Sequence, residues 1–216
     1  DKVLVIGQNA VISQAMGGGS AEIKALYEIT PLLGISKFLG GNCEVRYARG
    51  YDIPAKKESD HNWQEDSLDA SKAAAETAKE TEDSARLRKE AVELAKEYKH
   101  VIYVGGLNHD QDLEGQDRAD LTLPYGQDRL ITELLEVRSD MTIVMLAGSP
   151  VSMKPWADRA KAIVWMSYSG MEGGTALAEV LFGAVNPSGK LAETLPEEIP
   201  ECFRKEAYFP GRPLTD

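Results

Sequence analysis

The stretch His100–Pro124, HVIYVGGLNHDQDLEGQDRADLTLP, decides how the rest of the chain is read. Its opening residues Val101, Ile102, Tyr103 and Val104 form an unbroken apolar run. Such runs suit a parallel strand covered on both faces. The run breaks at Gly105-Gly106 into a loop carrying Asp110, Asp112, Glu114 and Asp117, with Arg118 as the nearby cation. In open α/β sheets, groups beyond the carboxyl ends of strands face the ligand crevice. Carboxylates crowded there repel one another, and that repulsion holds one of them protonated near neutral pH. The loop is therefore expected to supply a general acid.

Working outward from this strand, similar short runs rich in Val and Ile recur at Val3–Ile6, Cys43–Tyr47, Thr142–Leu146 and Ala162–Met166. Helical patterns lie between them. Thr30-Pro31 offers an N-cap followed by proline at the first helical position, and Gly40-Gly41 ends that helix. Leu87, Ala91, Leu94, Ala95 and Tyr98 mark one helical face, and Leu130, Ile131, Leu134, Leu135 and Val137 mark another. A further helix spans Glu172 to Phe182 and closes at Gly183. Strands alternating with helices argue an α/β three-layer sandwich, a mostly parallel sheet with helices on both faces. Residues 1–203 are expected to form one such domain. Within it, residues 55–83 are acidic and alanine-rich, with His61 and Trp63 as almost their only large side chains, and read as a solvated surface excursion. Residues 204–216 carry turn chemistry (Pro210, Gly211, Pro213) and read as a linker or tail toward a missing neighbouring domain.

The 216 residues suffice for a genuine core. Lys plus Arg number 24 against 35 Asp plus Glu, a formal charge of -11 that repels phosphate backbones and anionic lipid. Nucleic-acid and membrane-surface roles are accordingly disfavoured. Cys43 and Cys202 stand far apart in no metal or redox spacing, so no disulfide framework is expected. No apolar run approaches the ~20 residues a bilayer span requires. The chain opens directly in a strand, which suggests a domain cut from something longer; its location stays open, with the cytoplasm favoured.

Each remaining motif has a bland reading beside a chemical one. Gly17-Gly18-Gly19-Ser20-Ala21 resembles a phosphate cradle, but the dinucleotide fingerprint would begin at the strand end, where Gly7-Gln8-Asn9-Ala10 stands. The glycines are either a flexible loop or a place where backbone N–H groups meet another surface. Asp110, Asp112, Glu114 and Gly115 imitate the start of a calcium loop, yet its twelfth position is Leu121 rather than Glu. His61, His100 and His109 are scattered, and His109 is expected in a solvent-exposed turn. Trp156, Trp165 and Tyr168 are candidates to stack on a sugar face, with Trp165 better suited to the core. Asp117-Arg118 reads as an ion pair bracing the acidic loop, and Asn186-Pro187-Ser188-Gly189 as a turn. No metal and no cofactor is expected.

Taken together, VLVIGQNA, GGGSA with Thr30–Ile35, DLEGQDR (Asp112 to Arg118), AGSPVSMKPW (Ala147–Trp156) and SGMEGGTALAEVLFGAVNPSGKL (Ser169–Leu191) resemble, in order, the C-terminal α/β sandwich domain of family 3 glycoside hydrolases, the β-glucosidase group. The resemblance implies a sheet of about six strands packed against an N-terminal (β/α)8-type barrel of the same parent chain. It implies an aspartate nucleophile on that barrel and a glutamate acid/base here, on Glu114. Asp112 is the lesser rival, because its carboxylate reaches less far. Asp117, Arg118, Gly19 and Ser20 then serve in substrate binding or loop bracing. The implied reaction is retaining hydrolysis of terminal β-D-glucosyl residues, with the chain inactive alone. A non-catalytic carbohydrate-binding or scaffolding domain is the alternative. A flavodoxin-like nucleotide binder is a third reading, weakened by the missing phosphate fingerprint.

Overall fold

The computed structural model describes residues 1–54, 79–112, 114, 118 and 120–200. Its strands are β1 (Lys2–Ile6), β2 (Glu44–Ala48), β3 (His100–Gly106), β4 (Thr142–Leu146) and β5 (Ala162–Trp165). They form one sheet of order β2-β1-β3-β4-β5, parallel throughout. The register sets Val5 opposite Ile102 and Tyr103 opposite Ile143. The sheet has five strands among the described residues, one fewer than the resemblance implied. Residues 55–78 (with His61 and Trp63) and residues 201–216 (with Cys202 and the tail) lie outside the described residues, as do 113, 115–117 and 119.

Helices α1 (Pro31–Leu39), α2 (Glu82–Ala95), α3 (Gln127–Val137) and α4 (Gly173–Leu181) cover both faces. Because successive strand side chains point to opposite sides, the apolar runs split between two cores. Leu4, Ile6, Val101, Tyr103, Ile143 and Met145 pack with Ala91, Leu130, Ile131, Leu134 and Trp156. Val3, Val5, Ile102, Val104, Val144 and Leu146 pack with Ile35, Leu177 and Ala178. That division is the three-layer sandwich. Thr30 caps α1 as its sequence suggests, its hydroxyl accepting the Leu33 N–H at 3.4 Å. Thr81 caps α2 in the same way, accepting the Ser84 N–H at 3.0 Å.

The buried row of α2 differs from the expected one. Ser84, Arg88, Ala91 and Ala95 face inward, with Tyr98 beyond the helix end, while Leu87 and Leu94 lie at the margin. Apolar spacing selected the leucines, but Arg88 occupies the inner row because its charge is matched there. Its Nε donates to Glu80 at 2.9 Å, and its Nη1 donates to the Glu133 carboxylate at 2.6 Å. A buried cation is tolerable only with such partners.

On the opposite face α1 and α4 cross at a distance that leaves no room for side chains. A Cβ on Gly34 would stand 2.0 Å from the Gly174 carbonyl oxygen, and a Cβ on Gly174 would stand 2.2 Å from the carbonyl oxygen of Thr30. Both neighbours are backbone, so neither yields without moving a helix. Gly34→Ala should destabilise the fold by about 1–3 kcal/mol, the usual cost of overpacking. Urea titration followed by far-UV circular dichroism measures this; an unchanged midpoint would show that the crossing has slack.

Candidate active site

The acidic loop leaves the sheet at the end of β3, and its base is fixed by a buried amide. Gln127, at the start of α3 and fully buried, accepts hydrogen bonds from the Tyr103 hydroxyl (2.8 Å) and the Gly106 N–H (2.9 Å). It returns one from Nε2 to the Gly106 carbonyl at 2.8 Å. The next polar residue, Asn108, starts the loop. Its side chain donates to the Tyr125 hydroxyl at 2.9 Å and accepts the Asp110 N–H at 2.9 Å, while its carbonyl accepts the Asp112 N–H at 2.9 Å. Asn and Asp side chains favour turns through this kind of local bonding. Tyr125, beneath Asn108, adopts φ 63 and stacks on Tyr51 at 6.3 Å.

Asp112 and Glu114 then turn to different partners. The Asp112 Oδ2 accepts the Gly148 N–H at 2.6 Å, from the loop after β4, and the Tyr168 hydroxyl at 2.9 Å, from the loop after β5. The Glu114 side chain is exposed at the same carboxyl edge of the sheet, and its Oε2 accepts the Ser20 N–H at 2.6 Å. The glycine run makes this approach possible. Gly19 has φ 71, and a Cβ there would stand 2.5 Å from the Glu114 Cβ. Of the two readings of the Gly17–Ala21 stretch, backbone presentation to another surface is the one observed: the surface is a carboxylate of the same chain.

This geometry corrects the expected electrostatics. Crowding does not hold Glu114 protonated; the Ser20 hydroxyl and backbone N–H instead hold its carboxyl below the usual glutamate range. Asp112 is turned away into its own two donors, so the carboxylates do not converge. Among the described residues, no group of three or more His, Cys, Asp or Glu side chains converges as a metal would need. Burial, with the Asp112 charge beside it, pushes the Tyr168 hydroxyl far above the ordinary tyrosine value, so it remains a donor.

The other sequence candidates fall into place around this edge. Arg118 is half-buried, with Nη2 donating to the Pro150 carbonyl and to Ser149 Oγ. Its Nη1 is buried with no hydrogen-bond partner among the described residues. Asp117, its expected ion-pair partner, lies outside the described residues. His109 is not the exposed turn residue expected. It is half-buried, donates from Nε2 to the Met16 carbonyl at 2.6 Å and meets the Tyr168 ring edge-on at 6.0 Å. Trp156 is only 1% exposed and donates to Asp128 at 2.8 Å, which removes it as a sugar platform. Trp165 packs against the core. Sequence reasoning missed Gln127, Asn108 and Gly148, whose roles depend on contacts between loops. Two loops are also stitched together: Gly170 donates to the Ala15 carbonyl at 2.7 Å, Ile29 to the Met171 carbonyl at 2.8 Å, and Tyr27 to Glu172 at 2.7 Å.

Comparison with known proteins connects the chain to a family. The glycosyl hydrolase family 3 C-terminal domain matches residues 1–212. A beta-glucosidase of Bacteroides ovatus is 39% identical over 217 residues, covering 97% of this chain and 26% of its own. The chain therefore spans about a quarter of the length of that curated relative. Among solved structures, a beta-glucosidase of Bifidobacterium adolescentis superposes with a TM-score of 0.68 at 30% identity, over 91% of this chain and 25% of that one. A beta-glucosidase of Kluyveromyces marxianus, solved with glucose, shares the fold at a TM-score of 0.72 and 20% identity, over 91% of this chain and 39% of that one. A domain match along almost every residue, carried on the same α/β architecture, places this chain in glycosyl hydrolase family 3, as its C-terminal domain.

Proposed function

We propose that this domain serves a retaining β-glucosidase-like hydrolase acting on terminal β-D-glucosyl residues, with Glu114 as its general acid/base. An aspartate nucleophile comes from an N-terminal (β/α)8-type barrel, and the chain is inactive without it. The observation that carries the reading is the exposure of the Glu114 carboxyl at the carboxyl edge of the sheet, within the DLEGQDR stretch. Its support from relatives is that those most similar are named beta-glucosidases. Asp112 is a poorer candidate on geometry, since one of its oxygens is already taken by Gly148 and Tyr168.

The reaction then runs in two steps. The protonated Glu114 gives its proton to the glycosidic oxygen as the anomeric C–O bond breaks and the nucleophile carboxylate bonds to the anomeric carbon. The Glu114 carboxylate next takes a proton from water, whose oxygen attacks that carbon and releases the nucleophile. In the uncovered domain the Ser20 contact favours the ionised form, which suits the second step. Covering the edge with a barrel carboxylate and a sugar adds desolvation and a like charge, and both favour the protonated form needed first.

In the barrel-containing enzyme, Glu114→Ala should lower turnover of an unactivated glucoside by roughly 10²–10⁴, the span of general acid–base catalysis. With an activated aryl glucoside, azide should restore much of the rate by replacing the missing base and yielding a glucosyl azide. Undiminished turnover in the variant removes Glu114 from the role. In the 216-residue chain, Ser20→Ala should move the Glu114 carboxyl up toward the ordinary ~4.3, read by carbonyl-carbon NMR titration. Because the intact contact lowers the folded-state value, its stabilisation is present above the unfolded value and fades as pH falls through the folded one. The variant's stability should therefore lose part of that acid dependence. A titration identical to wild type would show that the Ser20 hydroxyl does not act on this carboxyl.

A further inference from the structure

We propose that Asp112 and Tyr168 are positioning residues for Glu114: the Tyr168 hydroxyl and the Gly148 N–H, both donating to Asp112, fix the loop two residues before Glu114 and so set where its carboxyl meets the leaving-group oxygen. The inference rests on the acid/base reading of Glu114 and adds the device that aims it. Glu114 itself is exposed, and the contacts described on its carboxylate come from Ser20, whose N–H donates to it at 2.6 Å and whose hydroxyl also acts on it. That one partner residue is itself on an exposed loop, which leaves the backbone beneath Glu114 to be held from elsewhere. Asp112 supplies the missing restraint on the backbone that carries it, joining three loops through one oxygen at 2.6 Å and 2.9 Å.

The donors are themselves held. Gly148 leaves no room for a side chain, since a Cβ there would stand 2.9 Å from both Asp112 Oδ2 and the Tyr168 ring. Ser167 adopts φ 56, a left-handed backbone unusual for a non-glycine residue, immediately before Tyr168. Strained residues of this kind persist where the surroundings dictate them, and they cluster at functional sites. His109 packs edge-on against the Tyr168 ring and is tied to the Met16 carbonyl at 2.6 Å. Tyr168 is thus half-buried, with its ring edge packed and its hydroxyl committed. This accounts for a residue whose aromatic face the sequence offered as a sugar platform.

The test compares kcat/KM on phenyl and 2,4-dinitrophenyl β-glucosides in the barrel-containing enzyme, because the dinitrophenolate departs without a proton and phenolate needs one. Misplacing a proton donor should therefore penalise phenyl glucoside selectively. Tyr168→Phe keeps the ring and loses the hydroxyl; it should cost phenyl glucoside about tenfold more than dinitrophenyl glucoside, a modest share of what acid catalysis supplies. Asp112→Ala should cost more, and Asp112→Asn, whose carbonyl oxygen accepts the same two hydrogen bonds, should recover most of the loss. Equal losses on both substrates would reduce the contact to a structural one and overturn the proposal. Asp112→Asn as damaged as Asp112→Ala would overturn it too, making the Asp112 charge the active feature. Glu114→Ala run alongside separates the two levels. If it shows no selective loss on phenyl glucoside, the acid/base reading fails and the positioning role goes with it. A selective loss there with none in Tyr168→Phe rejects the positioning role alone. Tyr168→Phe leaves the half-buried ring in place, so its result stands even if Asp112→Ala fails to fold.

Discussion

All five described strands of the sheet run the same way, and that shared direction is what brings the site together. Ser20, Asp112, Gly148 and Tyr168 follow β1, β3, β4 and β5, and parallel pairing delivers all four loops to one edge. Had β4 run antiparallel, Gly148 would leave the sheet at the far end and Asp112 would lose its closest donor. The direction is maintained by burial on both faces, since each strand commits alternate residues to a separate core. Hydrophobic burial here does more than hold the chain compact: it fixes which loop ends are neighbours.

Beneath the exposed carboxylates lies a layer of buried amides and phenols whose hydrogen bonds meet one another. Gln127 closes the end of β3, Asn108 turns the chain, and Asn9 donates to the Leu107 carbonyl at 2.8 Å while receiving the Tyr51 hydroxyl. Unsatisfied, such groups would each cost about 1–3 kcal/mol, so the network tolerates few rearrangements. This polar floor sets where the loop leaves the sheet, and the Glu114 side chain lies exposed beyond it.

The fold was largely legible in the sequence because its signals are local. Unalternated Val and Ile runs announced the strands, and Thr30-Pro31 announced a helix start that the structure displays. Arg88 was not legible, because the carboxylates that admit it to the inner row come from Glu80 and from Glu133 on another helix. The acidic loop shows the same limit more sharply. Counting its carboxylates led to the expectation that one of them stays protonated, whereas the described contacts hold Glu114 below the usual glutamate range. Repulsion depends on where side chains point, and Asp112 and Glu114 are drawn apart by donors 36 and 94 residues away in the chain. The shortfall of one strand against the family expectation concerns the described residues alone.

The stitching of the β1–α1 connection to the β5–α4 connection has a consequence for how this domain diverges. Gly170 with Ala15, Ile29 with Met171 and the Gly34–Gly174 crossing join the segment bearing Ser20 to the segment bearing Tyr168. Both supports of the acidic loop therefore ride on a common frame, and a tilt of either outer helix displaces them in concert. Apolar exchanges on that remote helical layer would therefore shift the donors to Asp112 and Glu114 together, without altering a single polar side chain at the rim.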